Sequence, residues 1–218
     1  KRFQPKNYST AFHFQRTRCF YNSYIPKKWY IVGMESTLCP GKLLAADPSI
    51  IGDLSFTRAV ILLVEYDKGG TIGFILNKPI LYDLNTFVPE INVPFPIFQG
   101  GPVEQDRLYF IHKRPDLIPN AKKVSGGFYW GGSFSNVTDK INSGELTPND
   151  IKFFLGYTGW DANQLEQEIS NKTWVVFDPS NDKELTSSAD ASYWKSKMNI
   201  LGGDYKLWAN APSHPNLN

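Results

Sequence analysis

The stretch Ala59-Val-Ile-Leu-Leu-Val-Glu-Tyr66, the turn Asp67-Lys-Gly-Gly70 and the stretch Thr71-Ile-Gly-Phe-Ile-Leu-Asn77 decide the fold. Two β-branched, apolar runs around a glycine-rich turn predict a β-hairpin, because glycine supplies the positive φ that tight turns need. Both runs are almost continuously apolar, which is typical of strands covered on both faces. The sequence therefore predicts a central hairpin with further layers of structure on each side.

Short strands are predicted to follow this hairpin, separated by glycine pairs. They are Pro96–Gln99, Arg107–His112 and Phe128–Trp130, with glycine pairs at 100–101, 126–127 and 131–132. Glycine pairs between short apolar runs are typical of tight connections between strands.

The second half of the chain has mainly helical signals. Helices are predicted to begin at Asn136, Thr147, Asp161 and Ser188, with one late strand, Thr173–Phe177. The helix after Thr147 would place Tyr157-Thr-Gly-Trp-Asp161 between two helices. Strands grouped first and helices later favour an α+β fold. We expect a single compact domain with a mixed, mostly antiparallel sheet of short strands and flanking helices.

The composition excludes several classes of protein. A chain of 218 residues is long enough to bury a substantial core without metals or disulfides. Its longest apolar run, Ala59–Val64, is far shorter than the ~20 residues of a membrane-spanning helix. Two cysteines cannot build a disulfide framework or a four-cysteine zinc site.

Charge divides the chain into two unlike parts. Residues 1–34 carry seven basic residues and no acid, whereas the remainder has a net charge of −5. We expect residues 1–33 to be a poorly ordered extension and residues 34–218 to be the domain, because the first methionine, Met34, lies at that boundary. A transit peptide, a nucleic-acid-binding arm and a membrane-surface helix are the alternatives. No apolar stretch of a secretory signal peptide follows the basic residues, so we expect a cytoplasmic protein.

Catalytic motifs are absent from the sequence. It has no phosphate-binding loop, dinucleotide-binding fingerprint, zinc-protease motif or nucleophile elbow. Three histidines cannot supply a histidine-rich metal centre, and His112 is interpreted as a strand-end residue rather than a general base. We therefore predict no catalytic residues, no cofactor and no metal.

Polar residues framed by glycines form a candidate cleft. Glycine pairs allow close backbone approach or leave N–H groups free to bind an anion, which nearby cations and a helix N-terminus would assist. The alternative is that these glycines only shape turns and that Trp160 fills the core. The candidate residues are Arg58, Asn77, Lys78, Gln99, Gly100, Gly101, Arg107, Tyr157, Trp160 and Gln164.

The same segments resemble the AlgH (YqgE) family of bacterial proteins, and the match covers nearly all of residues 41–218. The resemblance implies a compact α+β domain with a mixed sheet flanked by helices, in the bacterial cytoplasm, and a label as a transcriptional regulator. It supplies no catalytic residues, and residues 1–33 do not match it. The motifs that carry it are Gly41–Ala45, Arg58–Val64, Gly73–Pro79, Gly100–Val103, Gly127–Gly132, Leu155–Trp160, Gln164–Glu166, Trp174–Val176 and Pro215–Asn218.

Three functional hypotheses follow from these observations. The first is a cytosolic, non-catalytic regulatory or binding module that acts through a protein partner or a small anionic ligand. The second is a hydrolase or transferase acting on a phosphorylated or anionic metabolite through the cations and amides of the candidate cleft. The third is direct DNA binding through the basic arm, since the acidic body should repel phosphates and is not expected to bind nucleic acid.

Overall fold

The fold is described by a computed structural model for residues 38–178 and 190–212. Strands come first and helices mostly later, as the sequence predicts. The strands are β1 Leu43–Ala46, β2 Val60–Asp67, β3 Gly70–Ile75, β4 Pro79–Asp83, β5 Pro96–Gln99, β6 Val103–His112, β7 Lys122–Lys123, β8 Tyr129–Trp130, β9 Ile151–Trp160 and β10 Trp174–Phe177. The helices are α1 Phe134–Asn142, α2 Gln164–Ser170, α3 Ala191–Leu201 and α4 Gly203–Asn210, with a 3-10 turn at Leu84–Thr86.

Strand β9 organises the sheet. One of its edges carries β6, and its other edge carries first β5 and then β3. Beyond β3 the order continues β2, β1 and β10, beyond β6 it continues β8 and β7, and β4 pairs with β5. The pair β5–β9 is parallel, whereas the other pairs of described strands are antiparallel. The predicted α+β domain with a mixed, mostly antiparallel sheet is therefore confirmed.

Both faces of the β2–β3 hairpin are buried, as its apolar runs predict. Leu62 and Phe74 belong to the cluster that lies under α3 and α4. Ile61 and Ile75 point to the opposite face, where Leu165 of α2 packs against them. Each such side chain contributes about 1.5–3 kcal/mol of hydrophobic stabilisation, so the hairpin fixes the centre of the core.

The other half of the sheet is covered by α1. Val137 and Ile141, four residues apart on this helix, pack in one cluster with Phe110 of β6 and Phe153 of β9. The helix α1 begins at Phe134 rather than at Asn136, and Gly144 follows its end with a φ of +77°. A positive φ of this size is the backbone conformation in which glycine commonly ends a helix.

The prediction of a helix beginning at Thr147 is wrong. Residues Ile151–Trp160 form the ten-residue strand β9, and the Asp150 carboxylate closes a turn by accepting from the Thr147 N–H and hydroxyl at 3.0 and 2.6 Å. A strand buried on both faces has a continuous apolar run, and this run also satisfies helical spacing. Its aromatic residues favour a strand, and its two internal glycines disfavour a helix. Tyr157–Asp161 consequently lies at the end of a strand and not between two helices.

The remaining predicted elements are confirmed with small shifts at their starts. The Gln164 side chain accepts a hydrogen bond from the Asp161 N–H at 2.9 Å, and α2 begins at Gln164. Helix α3 begins at Ala191 behind the cap Asp190. The predicted cap Ser188, the terminal motif Pro215–Asn218 and the extension 1–33 lie outside the described residues, and the domain boundary at residue 34 stays a prediction.

Candidate functional site

The ten residues of the candidate cleft fall into three groups in the structure. Arg58, Asn77, Lys78 and Gln99 lie at the end of β3, whereas Trp160 pairs with Thr71 at its beginning. The six residue-to-residue steps from Thr71 to Asn77 span about 20 Å in an extended strand. Gly100, Gly101, Arg107 and Tyr157 form a second group, where β5 passes to β6 beside β9. Trp160 and Gln164, which share the partner Glu168, form the third. One small ligand therefore cannot contact all three groups.

In the first group, Arg58 ties the end of α4 to the sheet. Its Nη2 atom donates to the carbonyl oxygens of Ala211 and Pro212 at 2.7 and 2.8 Å. Its guanidinium lies 5.2 Å from the ring centroid of Trp194, within the range of a cation–π contact. These contacts give the guanidinium a structural role in holding the C-terminal helix.

Asn77 joins the beginning of β2 to the end of β3. Its Oδ1 atom accepts from the Val60 N–H at 2.8 Å, and its Nδ2 atom donates to the Arg58 carbonyl at 2.9 Å. Arg58 has a φ of +56°, a conformation that is costly for a residue with a side chain. The buried amide of Asn77 therefore holds this strained backbone in place.

Lys78 holds the loop between β1 and β2. Its Nζ atom donates to the Leu54 carbonyl at 2.6 Å. Burial lowers the pKa of Lys78 below its ordinary value, while the nearby Asp53 carboxylate opposes that change. Gln99 contacts Lys78 through its backbone, since the Gln99 N–H donates to the Lys78 carbonyl at 2.8 Å. The Lys78 ammonium thus holds the loop between β1 and β2 against the beginning of β4.

Large apolar side chains are exposed on the two segments that Lys78 joins, the loop between β1 and β2 and strand β4. Ile51 and Leu54 of the loop are 71% and 85% exposed, and Leu81 and Tyr82 of β4 are 100% and 61% exposed. We call these four residues the apolar edge. The sequence analysis missed it, although the apolar pair Leu81-Tyr82, next to Asp83 and with Pro79 shortly before it, was a visible signal.

The backbone of β4 explains why two of these side chains face solvent. Pro79 pairs with Phe98 and Asp83 pairs with Pro96, so three residues of β4 stand opposite one residue of β5. The extra residues form a bulge, which bends the strand and turns its side chains away from their regular positions. Leu81 lies in the middle of this bulge and is fully exposed.

In the second group, the glycines permit close crossing of two chain segments. A Cβ atom on Gly100 would lie 2.2 Å from the Gly156 carbonyl oxygen, and one on Gly101 would lie 2.3 Å from the Tyr157 carbonyl. The Gly100 N–H donates to the Leu155 carbonyl at 2.8 Å, so this N–H group is used by a hydrogen bond to β9. The expectation that these glycines shape the chain is consistent with this packing.

A cavity of about 210 Å³ lies beside this crossing, on the sheet face that α3 and α4 also cover. We call it the aromatic cavity. Only Tyr157 belongs to the predicted cleft residues. The cavity is lined by Glu65, Ile72, Glu104, Tyr109, Lys122, Trp130 and Tyr157.

Two irregular strands direct side chains into the aromatic cavity. In β2 and β3, Leu63 pairs with Gly73 but Glu65 pairs with Ile72, so Val64 is an extra residue that turns Glu65 to the cavity face. In β9, Phe154 and Tyr157 pack in the same cluster, although residues three apart in a regular strand face opposite sides. Gly156 lies between them with a φ of +70° and turns the chain.

Each charged group that lines the cavity has a partner of opposite charge. Lys122 Nζ lies 2.5 Å from Glu65 Oε1, and Arg107 Nη1 lies 3.2 Å from Glu104 Oε2. Glu104 also accepts a hydrogen bond from the Tyr109 hydroxyl. Arg107, a predicted anion-binding residue, is thus engaged with a carboxylate.

The third group belongs to the core. Trp160 is 5% exposed, and its Nε1 atom donates to Glu168 Oε2 at 2.9 Å. Trp174 donates to the same carboxylate oxygen at 2.7 Å, and Gln164 donates to Oε1 at 2.8 Å. Glu168 thereby joins β9, α2 and β10, and Trp160 is buried in the core of the structure.

Two buried titratable groups lie in the sheet. His112 is the last residue of β6, as the strand-end interpretation predicts, and burial lowers its pKa to about 4. Lys152, which the sequence analysis missed, is 2% exposed, with Nζ 3.8 Å from the Phe98 ring centroid. Burial lowers the pKa of Lys152 to about 7. Both side chains lie within the packed sheet, away from an open surface.

Two further findings concern the described residues. They contain no group of three or more His, Cys, Asp or Glu side chains placed to hold a metal ion. Among residues 38–178 and 190–212, every helix is too short or too polar to cross a lipid bilayer.

Comparison with known proteins identifies similar chains. The family described as DUF179, AlgH-like, matches residues 43–206. A UPF0301 protein from Parabacteroides distasonis is 39% identical over 181 residues, covering 82% of this chain and 90% of that protein. A UPF0301 protein from Chlorobium limicola is 37% identical over 182 residues, covering 83% of this chain and 96% of that protein.

Two solved structures have similar folds. The solution structure of the AlgH protein from Pseudomonas aeruginosa has a TM-score of 0.62 and 25% identity, and the match covers 84% of this chain and all of that one. A crystal structure of a Corynebacterium diphtheriae protein has a TM-score of 0.64 and 23% identity, covering 80% of this chain and 93% of that one. At 23% identity, the similarity to the Corynebacterium diphtheriae protein concerns the fold alone.

Proposed function

The chain belongs to the AlgH-like family, and we propose that it is a cytoplasmic, non-catalytic binding module that regulates another protein by contact through the apolar edge. The observation that supports this proposal is the exposure of Ile51, Leu54, Leu81 and Tyr82 on two neighbouring segments. Single exposed apolar residues are common, but a group of large ones is typical of an interaction surface.

The loop that carries Ile51 and Leu54 of the apolar edge is held in a fixed arrangement before any partner binds. Lys78 fastens Leu54 through its carbonyl, and Asp53 accepts from the N–H groups of Ser55 and Phe56 at 2.9 and 3.0 Å. A surface that is already ordered loses less conformational entropy on binding. This arrangement supports recognition of a folded or helical segment by a rigid surface.

The charges around the apolar edge indicate the chemistry of the partner. Asp53 and Asp83 are exposed on the loop and on β4, next to the apolar side chains. Acidic rims attract basic ones and raise the rate of association. We therefore expect a protein partner with an apolar centre and a basic rim.

The experiment compares two substitutions of exposed leucines. Leu81→Asp places a charge in the apolar edge, and Leu207→Asp is the matched control, because Leu207 is also largely exposed but lies on α4. The full chain is used to capture partners from cell extract, and a captured protein is then purified and titrated by calorimetry. We expect Leu81→Asp to weaken binding at least tenfold, which is about 1.4 kcal/mol, and Leu207→Asp to leave it unchanged.

Two results would contradict the proposal. One is equal affinity of the wild-type chain and Leu81→Asp for every purified partner. The other is a Leu81-dependent dimer in sedimentation analysis, since the apolar edge would then be covered by a second copy of the chain.

A small anionic ligand, the alternative that the sequence predicts, has less support from the geometry. Arg58 and Lys78 donate to backbone carbonyls and Arg107 pairs with Glu104, so an anion would compete with these partners. Binding of an anion by the cleft residues stays a prediction.

A further inference from the structure

We propose that the aromatic cavity binds a small organic ammonium ion and that Lys122 occupies the same position when no ligand is bound. This site is separate from the apolar edge and does not depend on the proposed protein contact. The cavity of about 210 Å³ is smaller than pockets for drug-sized ligands, which are roughly 300–1,000 Å³. A small alkylamine or quaternary amine suits this size.

Aromatic rings supply the wall of the cavity. The rings of Tyr109 and Tyr157 meet edge to face with centroids 5.6 Å apart, and Trp130 lies on the same face of the sheet. Phe74 packs behind both Tyr109 and Trp130 at 5.8 and 6.1 Å and holds them in position. The faces of electron-rich rings attract cations, and sites of this kind recognise quaternary ammonium groups.

Carboxylates complete a site for positive charge. Glu65 and Glu104 both line the cavity, and Lys122 is the one basic residue among its seven lining residues. Arg107 offsets the charge of Glu104 from outside that lining. The Glu65 carboxylate is therefore the group that an ammonium ion would meet beside the rings.

Lys122 already demonstrates the chemistry that the cavity accepts. Its ammonium lies 2.5 Å from Glu65 Oε1 and 5.1 Å from the ring centroid of Trp130. A carboxylate on one side and an aromatic face on the other are the two contacts that a ligand ammonium needs. The chain thus contains a built ammonium site with its own lysine in it.

Because of the position of Lys122, displacing its side chain with a ligand costs little free energy. Its side chain is half exposed, and it lies on the two-residue strand β7, which pairs only with β8 among the described strands. Exposed ion pairs contribute about 0–1 kcal/mol, so the lysine can swing into solvent at small cost. A ligand ammonium then restores the ion pair and buries its alkyl groups against the rings.

The irregularities in β2 and β9 both direct side chains into this site. Val64 in β2 and Gly156 in β9 each break the regular alternation, and each brings one lining side chain, Glu65 or Tyr157, to the cavity face. Bulges are common next to functional sites because they redirect side chains.

The test uses tetramethylammonium chloride and choline chloride as probes, with sodium chloride at equal ionic strength as the control. Binding to the full chain is followed by the NMR signal of the Trp130 indole N–H, assigned with a Trp130→Phe variant. Lys122→Met removes the competing ammonium but keeps the alkyl chain, and Lys123→Met is the matched neighbour. If Lys122 fills the site about nine-tenths of the time, Lys122→Met should bind each probe about tenfold more tightly than the wild type.

Each outcome decides the proposal. Saturable shifts at Trp130, tightened by Lys122→Met, unchanged by Lys123→Met and weakened severalfold by Glu65→Gln, would support it. No saturable shift at Trp130 in Lys122→Met, or equal affinity in Lys122→Met and Lys123→Met, would overturn it. Lys122→Gln provides a second variant should Lys122→Met fail to fold, with the same expected tightening.

Discussion

The β2–β3 hairpin and the β4 edge are both rich in apolar residues, yet these residues have opposite surroundings. In the regularly paired part of the hairpin, before the bulge at Val64, Leu62 and Ile61 alternate between two covered faces. In β4, three residues stand opposite one residue of β5, and Leu81 is fully exposed. Backbone register, rather than hydrophobicity alone, decides whether an apolar side chain builds the core or a surface for binding.

The largest test of this difference substitutes one large side chain in each region. Phe74→Ala should lower the free energy of unfolding by about 3–5 kcal/mol, because Phe74 is fully buried and stacks on Phe154 with centroids 4.8 Å apart. Leu81→Ala should change it by less than about 0.5 kcal/mol, since its side chain is exposed. Urea denaturation measures both, and similar losses would show that Leu81 is packed.

A second test concerns the glycine crossing between β5 and β6. Gly101→Val should lower the free energy of unfolding by about 2–3 kcal/mol, because its side chain would overlap the Tyr157 backbone. Gly127→Ala is the control, since a Cβ there meets nothing within 4 Å and only its positive φ of +84° adds strain. Thermal unfolding compares the two, and an equal loss in both variants would exclude close packing at Gly101.

A third test uses the buried lysine next to β5. Burial lowers the pKa of Lys152 to about 7, whereas it is near 10.5 in an unfolded chain. Between these values the unfolded state binds more protons, so this group makes the protein more stable as pH rises. From pH 7 to pH 9 we expect a gain of about 2 kcal/mol from Lys152, absent in Lys152→Met. Denaturation at both pH values measures it, and an unchanged slope in Lys152→Met would contradict it.

The smallest expected effect sharpens the comparison at the apolar edge itself. Lys78→Met should cost about 1 kcal/mol by removing the hydrogen bond to the Leu54 carbonyl. It should also increase amide hydrogen exchange in residues 50–57 but not in the β2–β3 hairpin. Lys68→Met, on the exposed turn of that hairpin, is the control. Unchanged exchange near Leu54 would show that Lys78 does not hold the loop.

Much of the fold could be predicted because it follows from local patterns. The hairpin at Ala59–Asn77 has two apolar runs and a glycine turn, and these suffice to define it. The strand Ile151–Trp160 was mistaken for a helix because burial on both faces removes the alternation that distinguishes a strand.

The candidate site could be predicted less well because it depends on contacts between distant segments. Arg58, Lys78 and Arg107 were interpreted as available cations, but their partners are three backbone carbonyl groups and a carboxylate, which only the folded chain brings to them. The aromatic cavity joins Glu65, Lys122 and Tyr157 from three strands. Two of these side chains reach it through bulges that no alternation pattern reveals.

The bulge of β4 also bears on whether copies of this chain can stack strand against strand. A straight strand at the border of a sheet offers a ladder of unpaired peptide groups, on which further copies can stack into fibrils. Pro79 lacks an N–H, and the three residues that stand opposite one residue of β5 interrupt the ladder. The protein can therefore display Leu81 and Tyr82 to solvent without offering a template for amyloid growth.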